Sequence, residues 1–398
     1  MMKKIVFIHE AFPFGGAETV TSLISGYLVE RGGEMSDIRM FVCRLDEEHL
    51  DERDRRNIRF VQLPVPDDVH HMKNAVFMAE YLNREKIDFF IIPVTMLQRL
   101  DYIREHTSCK IIFHNHGTPL WEATLSMIEA QRRIETTGSW LKWLEWHILR
   151  KPKETFFGYY SRRTVMRYRK IYKHVDRFAV LCDEYKREIE RVVGATAADS
   201  KVCVLTNPIG DNRRPPHLEK RHEVLYCGRM SYADKRVDRL LRIWARVEKD
   251  FPDWTLKLVG DGPERKFLEQ QARDLGLQRA VFCGWCTDVG PHYDTAAILC
   301  LTSAIEGWGL VLVDAQAAGV VPIAFGCSGG VKTILGTDRR AGIVVEPGNE
   351  KAFARELAAL MRDDERRRAM QPALLAKVGD YSLDRIGPMW LDMLAGLE

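Results

Sequence analysis

The chain reads Lys4-Ile-Val-Phe-Ile8 near its N-terminus, followed by His9-Glu-Ala-Phe-Pro-Phe-Gly-Gly16. An uninterrupted apolar run of this length is typical of a strand buried on both faces of a parallel sheet. From Ala17 to Arg31 the apolar residues recur at helical spacing, and Gly32 and Gly33 end the pattern. A strand, a glycine-rich loop and a helix form the opening of a βαβ unit, so we predict an α/β fold.

The same alternation fills the rest of the first half. Further buried strands are predicted at 38–43, 60–63, 89–94, 111–113, 178–181 and 202–205. Amphipathic stretches separate most of them, which indicates a doubly wound domain over residues 1–208. Asn207-Pro208 ends the last strand, and the polar stretch Arg213-Arg-Pro-Pro-His217 is predicted to be a linker.

A second α/β domain is predicted over residues 209–380. Its strands are expected at 224–228, 256–259, 281–284, 298–302 and 321–325, with a helix from Leu310 to Ala318. A last amphipathic helix covers 382–394. The pattern does not decide which domain this helix packs on, and the N-terminal domain is one option.

Composition excludes several classes of protein. The 398 residues are 46% hydrophobic and 29% charged, with a formal net charge of +3, so nucleic-acid binding over the whole surface is not expected. Nine scattered cysteines do not form a secreted disulfide framework. The first apolar run is too short for a signal-peptide core, and the longest stretches, such as 89–97, are too short to cross a bilayer. We therefore expect a reducing, cytoplasmic setting.

One turn after a predicted strand carries groups that suit a diphosphate. Gly228-Arg229-Met230 precedes Lys235, and two cations beside a helix start favour bound negative charge. The alternative is a pair of solvated surface cations. No turn matches the dinucleotide or P-loop glycine patterns, which argues against a dehydrogenase or a P-loop ATPase.

A second cluster is Glu306-Gly-Trp-Gly309, with Asp314 on the helix that follows. The glycines let backbone amides approach a ligand, and a carboxylate on the helix suits a ribose diol. The alternative is a capping Glu and a solvated Asp.

Residues 138–177 are basic and aromatic, with eleven Lys and Arg against three Asp and Glu. Trp140 to Lys173 suits an anionic membrane surface. Nucleic-acid binding is a weaker interpretation of the same pattern. The simplest interpretation is an ordinary pair of helices whose aromatic side chains pack into the N-terminal domain.

Two smaller motifs are assigned no metal or redox role. His114 and His116 share one side of a strand, but no third ligand follows at metal-site spacing. Cys283-Gly-Trp-Cys286 is a lone C-x-x-C pair, and we expect free thiols there.

The second half resembles the donor domain of the family-4 (group 1) retaining glycosyltransferases of the GT-B fold. The matching stretches are Tyr226-Cys-Gly-Arg-Met230 with Lys235, Leu258-Val-Gly-Asp-Gly-Pro263, Val281-Phe-Cys-Gly284, Thr302-Ser-Ala-Ile-Glu-Gly-Trp-Gly-Leu-Val311, Asp314-Ala-Gln-Ala-Ala-Gly319 and Val345-Glu-Pro-Gly348. Gly15-Gly16-Ala17-Glu18 looks like the glycine loop of the same family. Asp314 stands where the family usually has Glu, and Lys332-Thr333 stands where an acid is common.

The resemblance implies two Rossmann-like domains that face each other across a cleft, and it assigns roles to individual residues. Arg229 and Lys235 would bind the diphosphate of a sugar nucleotide, and Glu306 would face the donor sugar. The remaining implied contacts are Gly307, Trp308, Gly309 and Leu310 around the sugar, Asp314 at the ribose, Trp285 and Thr287 at the base, Gly15 and Gly16 at the phosphates, and His116 in the active site.

The implied reaction is transfer of a hexose or N-acetylhexosamine, with retention, from a UDP- or GDP-sugar. The acceptor would be a glycan or a lipid-linked saccharide in bacterial capsule, lipopolysaccharide or other cell-surface polysaccharide assembly. No cofactor or metal is expected, because Arg229, Lys235 and a helix N-terminus would neutralise the leaving diphosphate. The alternatives are a nucleotide-sugar epimerase or hydrolase of the same fold, and a non-catalytic sugar-nucleotide-binding protein.

Overall fold

The chain forms two compact units in a computed structural model that describes residues 3–136, 138–153, 159–210 and 215–397. The first unit comprises Met1–Leu120, Lys153–Asp211 and Tyr381–Glu398, and the second comprises Trp121–Pro152 and Asn212–Asp380. Residues 211–214, which include the first two positions of the predicted linker, and residues 154–158 of the basic segment lie outside the described residues.

The first unit is built on a seven-stranded parallel sheet. Its strands are β1 (Lys4–Phe12), β2 (Asp37–Leu45), β3 (Arg59–Gln62), β4 (Phe89–Pro93), β5 (Lys110–Asn115), β6 (Arg177–Val180) and β7 (Val202–Val204), in the order β3-β2-β1-β4-β5-β6-β7. Phe7 pairs with Met40 on one side and with Ile91 on the other. Strand order reverses between β1 and β4, and open α/β sheets bind ligands at the carboxyl ends of the strands beside such a reversal.

Helices cover the first sheet, and the last helix of the chain is one of them. They span Gly16–Arg31, Glu52–Asn57, Met72–Arg84, Leu100–Glu105, Tyr159–His174, Asp183–Val193 and Leu383–Ala395. The last of these brings Trp390 to a ring distance of 6.2 Å from Phe7, and Gly387 is packed against the ring of Tyr27. Because a side chain at position 387 would strike that ring, the glycine allows the close approach of this helix to Gly16–Arg31.

The second unit holds a six-stranded parallel sheet. Its strands are β8 (Glu223–Cys227), β9 (Thr255–Val259), β10 (Ala280–Gly284), β11 (Ile298–Leu301), β12 (Val321–Phe325) and β13 (Ile343–Val345), in the order β10-β9-β8-β11-β12-β13. Its helices span Val237–Val247, Arg265–Asp274, Gly290–Thr295, Leu310–Ala317, Gly329–Leu335, Glu350–Arg362 and Asp364–Val378. Trp244 and Trp254 are fully buried in the core. Here the strand order reverses between β8 and β11.

Residues 121–152 cluster with the second unit, whereas the sequence assigns them to the first. They form the helices Trp121–Thr136 and Trp140–Glu145 and a π-type turn, Trp146–Arg150. Among the described residues, no helix is both long and apolar enough to cross a membrane.

Candidate active site

Lys235 and Glu306 form an ion pair at the carboxyl edge of the second sheet. Lys235 lies on the loop after β8, and Glu306 lies on the loop after β11, so the reversal in strand order makes the two loops neighbours. The Lys235 Nζ is 2.7 Å from the Glu306 Oε2, and Ser303 Oγ donates a hydrogen bond to the same oxygen at 3.3 Å. Burial lowers the pKa of Lys235, but the charge and hydrogen bond of Glu306 outweigh it, so the pKa is raised overall. Lys235 is therefore charged at neutral pH.

Arg229 is the second cation of this edge. Its side chain is 67% exposed, and one guanidinium nitrogen donates to Asp234 at 2.9 Å. Burial raises the pKa of Asp234, but hydrogen bonds from Ser231 and Arg229 outweigh this effect and hold it below its usual value. Asp234 thus carries a charge that orients Arg229 and leaves most of the guanidinium open to a ligand.

Hydrogen bonds to backbone carbonyl groups join the two loops. The carbonyl of Asp234 accepts from the amide of Ala304 at 2.7 Å and from that of Ile305 at 3.3 Å. Thr302 Oγ1 donates to the carbonyl of Arg236 at 3.1 Å. The spacing between Lys235 and Glu306 is therefore set by main-chain contacts as well as by their own ion pair.

The loop that carries Arg229 packs against the glycine turn Gly260-Asp-Gly-Pro263, which follows β9. Gly260 has a φ of +124°, and a Cβ built there would lie 2.0 Å from the carbonyl oxygen of Gly228. The amide of Gly260 donates to Gly284 at 2.8 Å, which connects the turn to the end of β10. A side chain at Gly260 would displace the loop that holds Arg229.

The Glu306-Gly-Trp-Gly309 loop leads into the helix Leu310–Ala317. Trp308 is buried, and Gly309 occupies the N-cap with a φ of +92°. Asp314 lies one turn into the helix and is half-buried. Burial raises the pKa of Cys227 to about 11, and the negative charge of Asp314 raises it further. Because Cys227 is the last residue of β8, the Asp314 carboxylate lies near the end of that strand.

Trp285 and Thr287 lie beyond the end of β10, and both are exposed. The sheet order puts β10 two strands away from β8, on the same carboxyl edge. Nearby Cys283 and Cys286 are free thiols. The described residues contain no group of three or more His, Cys, Asp or Glu that could hold a metal ion.

The first unit gathers a histidine cluster at the carboxyl edge of its own sheet. His116, just after β5, lies 4.0 Å from His114 ring to ring. Burial lowers the pKa of His116 well below 6.5, the charges of His114 and His9 lower it further, and a hydrogen bond with Asn207 only partly opposes this. The imidazole of His116 is therefore neutral at pH 7. Within the described chain, its Nδ1 is buried and has no hydrogen-bond partner.

The glycine loop of the first unit is held by a histidine and glutamate pair. Gly15 is the N-cap of Gly16–Arg31, and the Glu18 carboxylate folds back over it. His9 at the end of β1 lies 3.2 Å from Glu18 Oε1 and 2.9 Å from the Thr21 hydroxyl. These contacts fix the loop beside the reversal in strand order.

Sequence reasoning missed two of the supporting residues, Asp234 and Asn207. Asp234 precedes Lys235 directly, yet an acid beside a lysine is common on surfaces and carries no signal by itself. The sequence places Asn207 only at the end of a strand. Its contact with His116 depends on β5 and β7 lying on either side of β6, which the motif alone does not give.

Residues 210–374 match the model of the family described as glycosyl transferases group 1. Over 176 residues, the chain is 30% identical to the amylovoran biosynthesis glycosyltransferase AmsD of Erwinia amylovora, covering 44% of this chain and 48% of that one. Over 228 residues, it is 26% identical to an undecaprenol-linked-saccharide α-1,4-N-acetyl-D-galactosaminyltransferase of Campylobacter jejuni, covering 57% and 62%. The chain thus spans about half the length of the curated relatives it matches.

The fold has close counterparts among solved structures. The structure of Anabaena HepE in complex with UDP-glucose superposes with a TM-score of 0.74 at 17% identity, over 99% of each chain. Two parallel-sheet, Rossmann-like units and this likeness confirm the expected GT-B fold, and the resemblance to group 1 glycosyltransferases is confirmed over residues 210–374.

Proposed function

We propose, from the match of residues 210–374 to the group 1 glycosyl transferases, that this chain transfers a sugar from a nucleotide donor to a glycan or lipid-linked saccharide. The observation that carries the proposal is the Lys235 and Glu306 pair beside Arg229 at the carboxyl edge of the second sheet. Two cations suit a leaving diphosphate, and a carboxylate beside them suits sugar hydroxyls.

The proposed donor is a UDP- or GDP-linked hexose or N-acetylhexosamine. Arg229 and Lys235 bind the diphosphate, and Glu306 with the amides of Gly307, Trp308, Gly309 and Leu310 holds the sugar. Asp314 binds the ribose, and Trp285 with the backbone up to Thr287 holds the base. In the first unit, Gly15 and Gly16 are proposed for phosphate contact, and His116 for orienting the donor sugar.

The proposed mechanism retains configuration at the anomeric carbon. The bond from that carbon to the diphosphate oxygen breaks as the acceptor oxygen bonds to the same face. The acceptor proton passes to a diphosphate oxygen, whose growing negative charge is stabilised by Arg229 and Lys235. These side chains supply the positive charge that the leaving group requires, so the proposal includes no resident metal. His116, neutral at pH 7, can donate or accept one hydrogen bond without itself carrying charge.

Nucleotide binding tests this proposal first. A ligand that binds only the folded protein raises its Tm. We expect UDP or GDP and the matching sugar nucleotide to raise the Tm by several degrees, and ADP and dTDP to have less effect. No shift with any nucleotide would contradict the donor site. Binding without turnover over a panel of acceptors would favour the non-catalytic alternative, and turnover without an acceptor would favour the epimerase or hydrolase.

The proposed setting is bacterial cell-surface polysaccharide assembly, with an acceptor carried on a lipid. Support comes from the relatives, since one is named for amylovoran biosynthesis and another for an undecaprenol-linked acceptor. A lipid-linked acceptor is at the membrane, so an enzyme that uses it benefits from a surface that docks there.

The helical segment from Trp140 to Arg150 offers such a surface. Its exposed apolar side chains are Trp140, Leu141, Trp143, Leu144, Ile148 and Leu149, whereas Trp146 is buried. Lys142, Arg150, Lys151 and Lys153 lie among or directly after them and are exposed. The interpretation that the aromatic side chains of this segment pack into the N-terminal domain predicts that they are buried, whereas Trp140 and Trp143 are exposed. We propose that the segment binds the anionic inner face of the cytoplasmic membrane peripherally.

Vesicle flotation tests the membrane proposal. We expect recovery with vesicles that contain anionic lipid and little recovery with neutral ones. Ile148→Glu should reduce binding at least about tenfold, because it removes one large apolar contact and adds a repelled charge. Phe267→Glu is the matched control, since Phe267 is also exposed, at 53%, but lies on another helix. Equal recovery with both kinds of vesicle, or equal loss in both variants, would contradict the proposal.

A further inference from the structure

The loop between Arg229 and Lys235 is held on two sides by hydrogen bonds, and Tyr232 lies midway along it. On one side, the amide of Met230 in the loop donates a hydrogen bond to the carbonyl of Asp261 in the turn after β9, at 2.8 Å. On the other side, the amide of Ala304 donates to the loop at Asp234. Tyr232 is half-buried and lies between these two points of attachment along the chain.

Two guanidinium groups lie over the ring of Tyr232. That of Arg236, which follows Lys235 directly, is 4.3 Å from the ring centre. That of Arg132 is 4.4 Å away and comes from the helix Trp121–Thr136. Arg236 is itself held by two hydrogen bonds to the Asp238 carboxylate at 2.9 and 3.0 Å. Cation–π contacts of this length are attractive, more so where they are partly shielded from water.

Arg132 also forms an ion pair with Glu264, the residue that directly follows the glycine turn. One of its guanidinium nitrogens donates to Glu264 Oε2 at 2.6 Å, and the Glu264 side chain is only 12% exposed. The amide of Glu264 in turn donates to the carbonyl of Met230 at 3.2 Å. Arg132 therefore reaches the diphosphate loop by two routes, through the Tyr232 ring and through Glu264. Both routes end between Arg229 and Lys235.

We propose that Arg132 is a positioning residue for the donor: it holds the Arg229 to Lys235 loop in its diphosphate-binding form by stacking on Tyr232 and pairing with Glu264. The inference rests on the proposed function, because it assumes that this loop binds a diphosphate. Arg132 acts through Tyr232 and Glu264 and is not itself assigned a contact with the donor. Its location on a helix outside residues 210–374 means that the family match does not include it.

Donor kinetics of Arg132 variants test the inference. For Arg132→Ala we expect the donor KM and the Kd for the free nucleotide to rise about tenfold, with a smaller change in kcat. The reason is that the variant has a less ordered loop in the free enzyme, and donor binding must then order it. Tyr232→Ala should behave alike, whereas Tyr232→Phe keeps the ring and should remain near wild type. Arg132→Lys keeps the charge but loses the planar stack, so it should restore only part of the affinity. Adding Tyr232→Ala to Arg132→Ala should raise the KM by less than the product of the single effects.

The neighbouring Arg133 is the matched control, because it is exposed on the same helix and Arg133→Ala removes the same charge. That variant should keep the wild-type donor KM. A wild-type KM and nucleotide Kd in Arg132→Ala would overturn the inference, and so would a lowered Tm as the sole effect, which indicates a purely structural role. Failure of the wild-type protein to bind any nucleotide would instead contradict the proposed function, so the two failures are distinguishable.

Discussion

Lys235→Ala is expected to lower kcat/KM for sugar transfer by about 100- to 1,000-fold, the range found when one stabilising group is removed from a developing anion. The leaving diphosphate gains charge as the glycosidic bond breaks, and Lys235 is held at the site in its charged form by Glu306, 2.7 Å away. Removing the ammonium group also takes away the positive charge that faces the Glu306 carboxylate, whose side chain is only 12% exposed. Steady-state kinetics with the donor varied at saturating acceptor measures the effect.

Two further variants separate these causes. Glu306→Ala should lower turnover by a similar factor, since it removes the proposed sugar contact and the partner of Lys235. Adding it to Lys235→Ala should cost less than the product of the single effects, because the two side chains act as a pair. Lys351→Ala is the control, an exposed lysine on Glu350–Arg362. Wild-type rates in Lys235→Ala and Glu306→Ala would refute the assigned site.

The strands were predictable because buried parallel strands are almost uninterrupted apolar runs. All seven strands of the first sheet coincide with a predicted run, and so do β8 to β12 of the second. The missing strand is β13, Ile343–Val345, which has only three residues and shows no period. Its place at the edge of the sheet depends on pairing with β12, a long-range contact that no local pattern records.

Packing partners of amphipathic helices were less predictable, since an apolar face does not name the surface that it covers. The apolar pattern of the last helix does not decide between the two domains, and in the structure Trp390 packs on Phe7 of the first unit. The helix Trp121–Thr136 follows a strand of the first sheet, yet it clusters with the second unit. Its contact through Arg132 joins residues more than a hundred positions apart and depends on that packing.

The candidate site was predictable only in part, through the resemblance to a family whose donor-binding residues follow the strands of the second domain. The resemblance assigns Arg229, Lys235 and Glu306 to one donor site, and the structure brings Lys235 and Glu306 into contact. The supporting contacts were not predictable, because the Asp234 carbonyl meets Ala304 only through the conformation of both loops. Their roles toward a donor stay predictions, which the kinetic variants test.

Gly260→Ala is expected to lower the free energy of unfolding by roughly 3 kcal/mol and to abolish nucleotide binding. The backbone of Gly260 has a φ of +124°, which an alanine rarely adopts, and its Cβ would lie 2.0 Å from the Gly228 carbonyl oxygen. Since backbone cannot turn aside as a side chain does, relief requires the Gly228 carbonyl to move, and Arg229 moves with it. Urea unfolding and the Tm shift with the preferred nucleotide measure the two effects.

The control for that substitution separates backbone strain from collision. Gly276 also has a positive φ, +68°, but nothing lies within 4 Å of the Cβ that an alanine would add. Gly276→Ala should therefore cost only about 1 kcal/mol of stability, the penalty for a left-handed alanine, and should keep full nucleotide binding. An equal loss in both variants would show that φ alone accounts for the effect. Retained nucleotide binding by Gly260→Ala would show that the turn after β9 does not position Arg229.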